Sequence, residues 1–137
     1  MRKRLAAAAA ALIFLGVALG IRMLAGSPIL DSSAPLAQYS GTALYASMIY
    51  AGVFVLFPVV TPAIAAGAAI AFCWLVELFQ LTGVPAQLSE RSLLARLALG
   101  VHFDPTDLLR YVIGVVPLLA LHLWLKTPKP TSPPEPT

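Results

Sequence analysis

The residues of this chain most able to do chemistry are the few ionisable and polar side chains set inside long apolar runs. Glu77 is the chief one. Gln80, three residues later, projects from the same face of a helix, and Cys73 and Trp74 lie one turn behind. A second face is written by Asp107, Arg110, Tyr111, Gly114 and Pro117, which recur at spacings of three and four. A charged group in a membrane helix costs about 2.5 to 3.5 kcal/mol on insertion scales, so each of these needs a partner or a purpose. The chemistry open to them is acid/base work by Glu77 and Asp107, or hydrogen bonding to a polar ligand. Arg22 or Arg91 is the expected counter-charge for Glu77.

Structural readings stand beside the functional ones. Interhelical hydrogen bonds are common glue in membrane bundles, so Glu77 and Gln80 can serve as a structural pair. Asp107 lies at a helix start, where capping by Thr106 or Asp107 accounts for an acid. Arg22, Arg96 and Arg110 fit snorkelling charges. Tyr39, Tyr45, Tyr50 and Trp124 fit an interfacial aromatic belt or packing, and Cys73 fits a small buried hydrophobe. No nucleophile motif, phosphate-cradling glycine loop or spaced set of metal ligands appears, and His102 and His122 are expected on opposite sides of the membrane. No metal or cofactor is expected.

The elements that must position these groups follow from composition. The 137 residues are 59% hydrophobic and 11% charged, far from a soluble balance. The formal charge of +3, from nine basic and six acidic residues, is too dispersed for a nucleic-acid-binding stripe. A single cysteine excludes an intrachain disulfide. A spanning helix needs roughly 20 apolar residues. Four segments qualify, at about 5–25, 39–58, 62–84 and 107–125. The first follows the basic cluster Arg2, Lys3, Arg4 and is read as a retained anchor, because its apolar stretch is long and no convincing cleavage site follows. Pro28, Asp31, Ser32, Ser33 and Pro35 mark a turn-rich connection. The second and third spans form a tight hairpin across Val59, Val60 and Thr61. Residues 85–106 mix Ser89, Glu90, Arg91 and Arg96 with Leu93, Leu94, Leu97 and Leu99, the pattern of a short amphipathic interfacial helix. Gly67 among alanines predicts close packing along the third span, and Gly114 predicts close approach to the fourth. Five prolines within 127–137 predict a disordered tail.

The expected architecture is thus all-α: a polytopic membrane protein, an antiparallel bundle of four transmembrane helices with a short amphipathic outer loop. Arg2, Lys3, Arg4, Lys126 and Lys129 share one side, which predicts that both termini are cytoplasmic. Arg22, Thr42, Tyr45, Glu77, Gln80, Asp107 and Tyr111 then fall toward the outer ends of their spans, under the loop that holds Arg91, Arg96, His102 and Asp104. A polar pocket near the outer leaflet, built on Glu77, Gln80, Arg91, Asp107 and Tyr111, is the expectation.

The series Glu77-Leu-Phe-Gln80, Arg91, Leu99-Gly-Val-His-Phe103 and Asp107-Leu-Leu-Arg-Tyr111-Val-Ile-Gly114 resembles the bacterial membrane family called domain of unknown function 2809, itself similar to VanZ-like proteins. The resemblance runs from about residue 39 to 125. It implies a bacterial inner-membrane protein with four spans and no settled activity. The VanZ-like kinship implies a role at the outer face, where cell-wall precursors and exposed lipids are found, and links such proteins to glycopeptide resistance. Tyr111 stands where VanZ-like members usually place asparagine, and Thr42 stands where close relatives tend to have aspartate.

Three functions are compatible with this pattern. The leading one is a non-enzymatic envelope protein, compatible with an oligomer, whose pocket binds a head-group-like ligand or a partner helix. The second is a membrane-embedded enzyme on a lipid-linked substrate, with Glu77 and Asp107 sharing one site. The third is a proton-coupled carrier with a water path past Glu77, against which the apolar inner halves of the spans weigh.

Overall fold

The computed structural model of the chain describes residues 1–25 and 34–128. They form six helices, α1 (Arg2–Ala25), α2 (Ala34–Leu56), α3 (Pro62–Gln80), α4 (Val84–Arg91), α5 (Leu93–Leu99) and α6 (Pro105–Lys126). Among the described residues no strand occurs. Four helices, α1, α2, α3 and α6, are long and apolar enough to cross a membrane. The expected turn-rich connection before α2 lies almost wholly outside the described residues, as do the side chain of Arg22 and the expected disordered tail beyond Pro128.

Local sequence explains where the helices begin and end. Thr61 caps α3 by accepting from the Ile64 amide at 3.4 Å, and Pro62 follows at a position where no amide is needed. The third span closes at Gln80, four residues short of the expected boundary at 84. Gly83 adopts a left-handed φ of 77° there and starts α4 with Pro85 in its first turn. Ser92 ends α4 in an extended conformation and caps α5, its hydroxyl accepting from the Ala95 amide at 3.3 Å. The expected single interfacial helix is therefore two short ones. The cap of α6 is Asp104, not Thr106 or Asp107. Its carboxylate accepts from the Thr106 amide at 2.9 Å and the Thr106 hydroxyl at 2.6 Å, with Pro105 opening the first turn.

The helices α2, α3 and α6 share one core, centred on Ala46, Tyr50, Ala65, Ala66, Ala69, Cys73, Tyr111 and Val115. Small side chains dominate it, as expected where lipid removes the hydrophobic drive and close van der Waals contact must hold helices together. Gly114 is the tightest point. A Cβ there would overlap the backbone carbonyl of Ala43, so α6 sits directly against the α2 main chain. The Ser47 hydroxyl donates to the Gly114 carbonyl at 2.8 Å and ties the same crossing. Gly67 behaves differently from its expected role: Ala65, Ala66 and Ala69 pack inward, while Gly67 faces open space. Among the described residues α1 touches only α2. Large apolar side chains such as Leu75, Leu78, Ile113 and Trp124 point outward, the arrangement hydrocarbon solvates and water does not.

Candidate functional site

Polar groups collect at the end of the bundle opposite the α2–α3 hairpin, where α3 finishes and α6 begins. Glu77 is fully buried, at 0% exposure. Its Oε1 accepts from the Asp104 amide at 2.7 Å, and its Oε2 accepts from the Tyr111 hydroxyl at 2.9 Å. Because Asp104 is also the cap of α6, Glu77 fixes the approach of the chain into that helix. Of the two arginines expected to neutralise Glu77, Arg22 has its side chain outside the described residues, and Arg91 does not pair with it. Arg91 is exposed on α4 and forms no ion pair there with an acid of the site. Among the described residues the buried carboxylate is held by two hydrogen-bond donors and by no counter-ion, which spares the desolvation of a second charge.

The cation of the site is Arg110. Its Nη1 reaches Asp104 Oδ2 at 3.2 Å and bonds Asp107 Oδ1, and its guanidinium lies 3.9 Å from the centroid of the Tyr39 ring. The Thr42 hydroxyl approaches the same Asp107 oxygen at 3.4 Å. This ion-pair cluster is only partly buried, with side-chain exposures of 16% for Arg110, 34% for Asp104 and 13% for Asp107. Asp104 lies outside the spans. The Thr106 hydroxyl and amide, followed by Arg110, hold its carboxyl below the usual aspartate range.

The α4–α5 pair forms a lid over this end. Gln80 donates through Nε2 to the Leu99 carbonyl at 2.7 Å, Tyr45 donates to the Ala98 carbonyl at 2.9 Å, and Ser89 donates to the Gly100 carbonyl at 3.0 Å. Gly100 has φ of 70°, and a Cβ there would stand 2.6 Å from Gln80 Nε2. The glycine thus serves both the turn and the seat of the glutamine.

Of the five residues expected to share a pocket, Glu77 and Tyr111 bond directly. Asp107 stands one turn before Tyr111 in the Arg110 cluster, Gln80 holds the lid, and Arg91 lies apart on the lid's exposed face. The roles of two further participants were missed. Asp104, seen only as part of a loop, links Glu77, Thr106 and Arg110. The string Asp104-Pro-Thr-Asp107 carries the signal for it, an acid directly before a helix-opening proline. Tyr45, read both as an aromatic-belt or packing residue and as one of the polar groups under the loop, is a tether of the lid, a role its sequence neighbourhood does not mark.

The four spans and buried polar ties define a multi-pass α-helical membrane protein. The family described as "Protein of unknown function (DUF2809)" matches residues 32–115, and the chain belongs to it. No curated protein and no solved structure matches the chain.

Proposed function

We propose that this is a non-enzymatic protein of the bacterial inner membrane, with both termini cytoplasmic, whose polar end faces outward and binds the polar head of an envelope amphiphile. The observation that carries the reading is the state of Glu77. A general base must offer a lone pair to a substrate proton, within hydrogen-bond reach. Glu77 is sealed from the surface and gives both oxygens to the Asp104 amide and Tyr111 hydroxyl. It serves better as the scaffold of the site than as its reagent. The groups left at the rim are Asp107, Arg110 and Tyr39, a mixed set that suits recognition of a polar head bearing both donors and acceptors. Its place at the outer ends of the spans accords with the VanZ-like kinship suggested by the sequence pattern.

The test is retention. Protein purified in mild detergent is extracted and its bound lipids identified by mass spectrometry. A discrete amphiphile retained by the parent and lost in folded Asp107→Asn supports the proposal. Identical lipid profiles for the two proteins oppose it. Turnover of a lipid-linked precursor, abolished by Glu77→Gln in a folded protein, would establish the enzyme reading instead.

A further inference from the structure

The outer face of the lid meets no other element among the described residues. On α4 the exposed positions Val84, Gln87, Leu88 and Arg91 fall within about 100° of the helix, with the exposed Glu90 beside that arc, while Pro85 is buried. On α5, Leu93 and Leu94 are exposed at 72% and 76%, and Arg96 flanks them. The lid is tied to the bundle through its Leu99 and Ala98 carbonyls, and Ser89 of α4 bonds the Gly100 carbonyl within the lid itself. Apolar side chains and arginines therefore share the outward face instead of segregating to opposite ones.

We infer that the outer face of α4–α5 is a docking surface for the anionic bilayer, with Leu88, Leu93 and Leu94 in the acyl boundary and Arg91 and Arg96 on lipid phosphates. The lid joins the ends of two spanning helices, α3 and α6, so it lies at the level where hydrocarbon gives way to headgroups. Exposed leucines at that level gain by entering the acyl boundary, and neighbouring arginines reach phosphates by extending their stems. Finally, the arginine inside the site, Arg110, is engaged with Asp104 and Asp107, whereas Arg91 and Arg96 form no ion pair among the described residues. This surface is separate from the Asp107 rim and goes beyond the proposal made for it.

The experiment uses the full chain in nanodiscs, with a bimane label at Leu94→Cys in a Cys73→Ala background. Quenching is compared for acyl-brominated phosphatidylglycerol and acyl-brominated phosphatidylcholine at equal mole fraction. Each arginine near a charged bilayer is worth about fivefold in local lipid enrichment. The phosphatidylglycerol probe is expected to quench more strongly, and Arg91→Gln with Arg96→Gln to remove the difference while quenching by phosphatidylcholine persists. Equal quenching by the two lipids in the parent overturns the preference for anionic lipid. No quenching by either removes the lid from the bilayer. Loss of the preference on adding inorganic phosphate assigns the arginines to a free anion and overturns the bilayer assignment. Asp107→Asn is expected to leave the preference intact, so failure of the amphiphile proposal and failure of this one are read separately.

Discussion

Replacing Gly114 by alanine puts the packing account at risk in a way that a surface change does not. In an open helical position this substitution stabilises by roughly 0.5–1 kcal/mol, since glycine loses more backbone freedom on folding. At Gly114 the added Cβ would overlap the Ala43 carbonyl. The obstacle is backbone, so no rotamer change relieves it and α2 and α6 must separate. Overpacking of this kind costs about 1–3 kcal/mol. Separation also stretches the 2.8 Å bond from Ser47 to the Gly114 carbonyl. Interhelical hydrogen bonds in membrane proteins average about 0.6 kcal/mol. With the helix gain subtracted, Gly114→Ala is expected to destabilise the protein by about 2 kcal/mol. Gly67→Ala is the matched control, because a Cβ at Gly67 meets nothing within 4 Å. It should be neutral or stabilising. Both variants are measured by reversible unfolding in mixed micelles, followed by circular dichroism. Equal stability of the two would refute the close approach of α6 to α2.

The remaining expectations concern the polar end. Glu77→Ala strips acceptors from two buried donors, each costing about 1–3 kcal/mol when unsatisfied, whereas Glu77→Gln keeps an acceptor for the Asp104 amide and should retain most of the stability in the same unfolding assay. Gly100→Ala places a side chain at a left-handed φ and against Gln80, so the lid should loosen and protease cleavage after Arg91 and Arg96 should accelerate; unchanged cleavage would count against the lid's attachment. Asp104 has a folded pKa lowered by Thr106 and Arg110, so its cap contributes fully above the ordinary aspartate value and is lost as pH falls through the lowered one. The protection of the Thr106 amide, measured relative to its intrinsic exchange rate at each pH, should fall over that acidic window in the parent, and Asp104→Asn should remove this acid-dependent change.

The sequence made the spans legible because hydrocarbon demands long apolar helices, and α1, α2, α3 and α6 overlap the four expected segments. It was less informative about their ends. The shorter α3 is set by Gly83 and Pro85, whose local geometry outweighs the apolar continuity through Val84. At the site, the pairing of charges was the weakest inference. Sequence spacing shows that Glu77 and Tyr111 each lie on a polar face, but not that the two faces meet, and a search for a counter-ion passed over neutral donors. Asp104 was obscured for a related reason, since its main role at Glu77 is played by a backbone amide, which every residue but proline carries. Gly114 was legible as a contact point, while Gly67, equally small and flanked by alanines, faces outward. Composition identifies residues able to pack closely, and helix rotation decides which of them do.

The proposed function needs the four spans to set the polar end and its lid on the side opposite the termini and facing out of the cell. Single cysteines at Ser32, Val59, Gln87 and Ser132, in a Cys73→Ala background, test this in intact cells with a membrane-impermeant thiol reagent. The account predicts labelling at Ser32 and Gln87, with Val59 and Ser132 reacting only after permeabilisation. Labelling of Val59 and Ser132 alone would place the polar end in the cytoplasm and contradict the outward site, and unlike labelling of Ser32 and Gln87 would break the four-span topology itself.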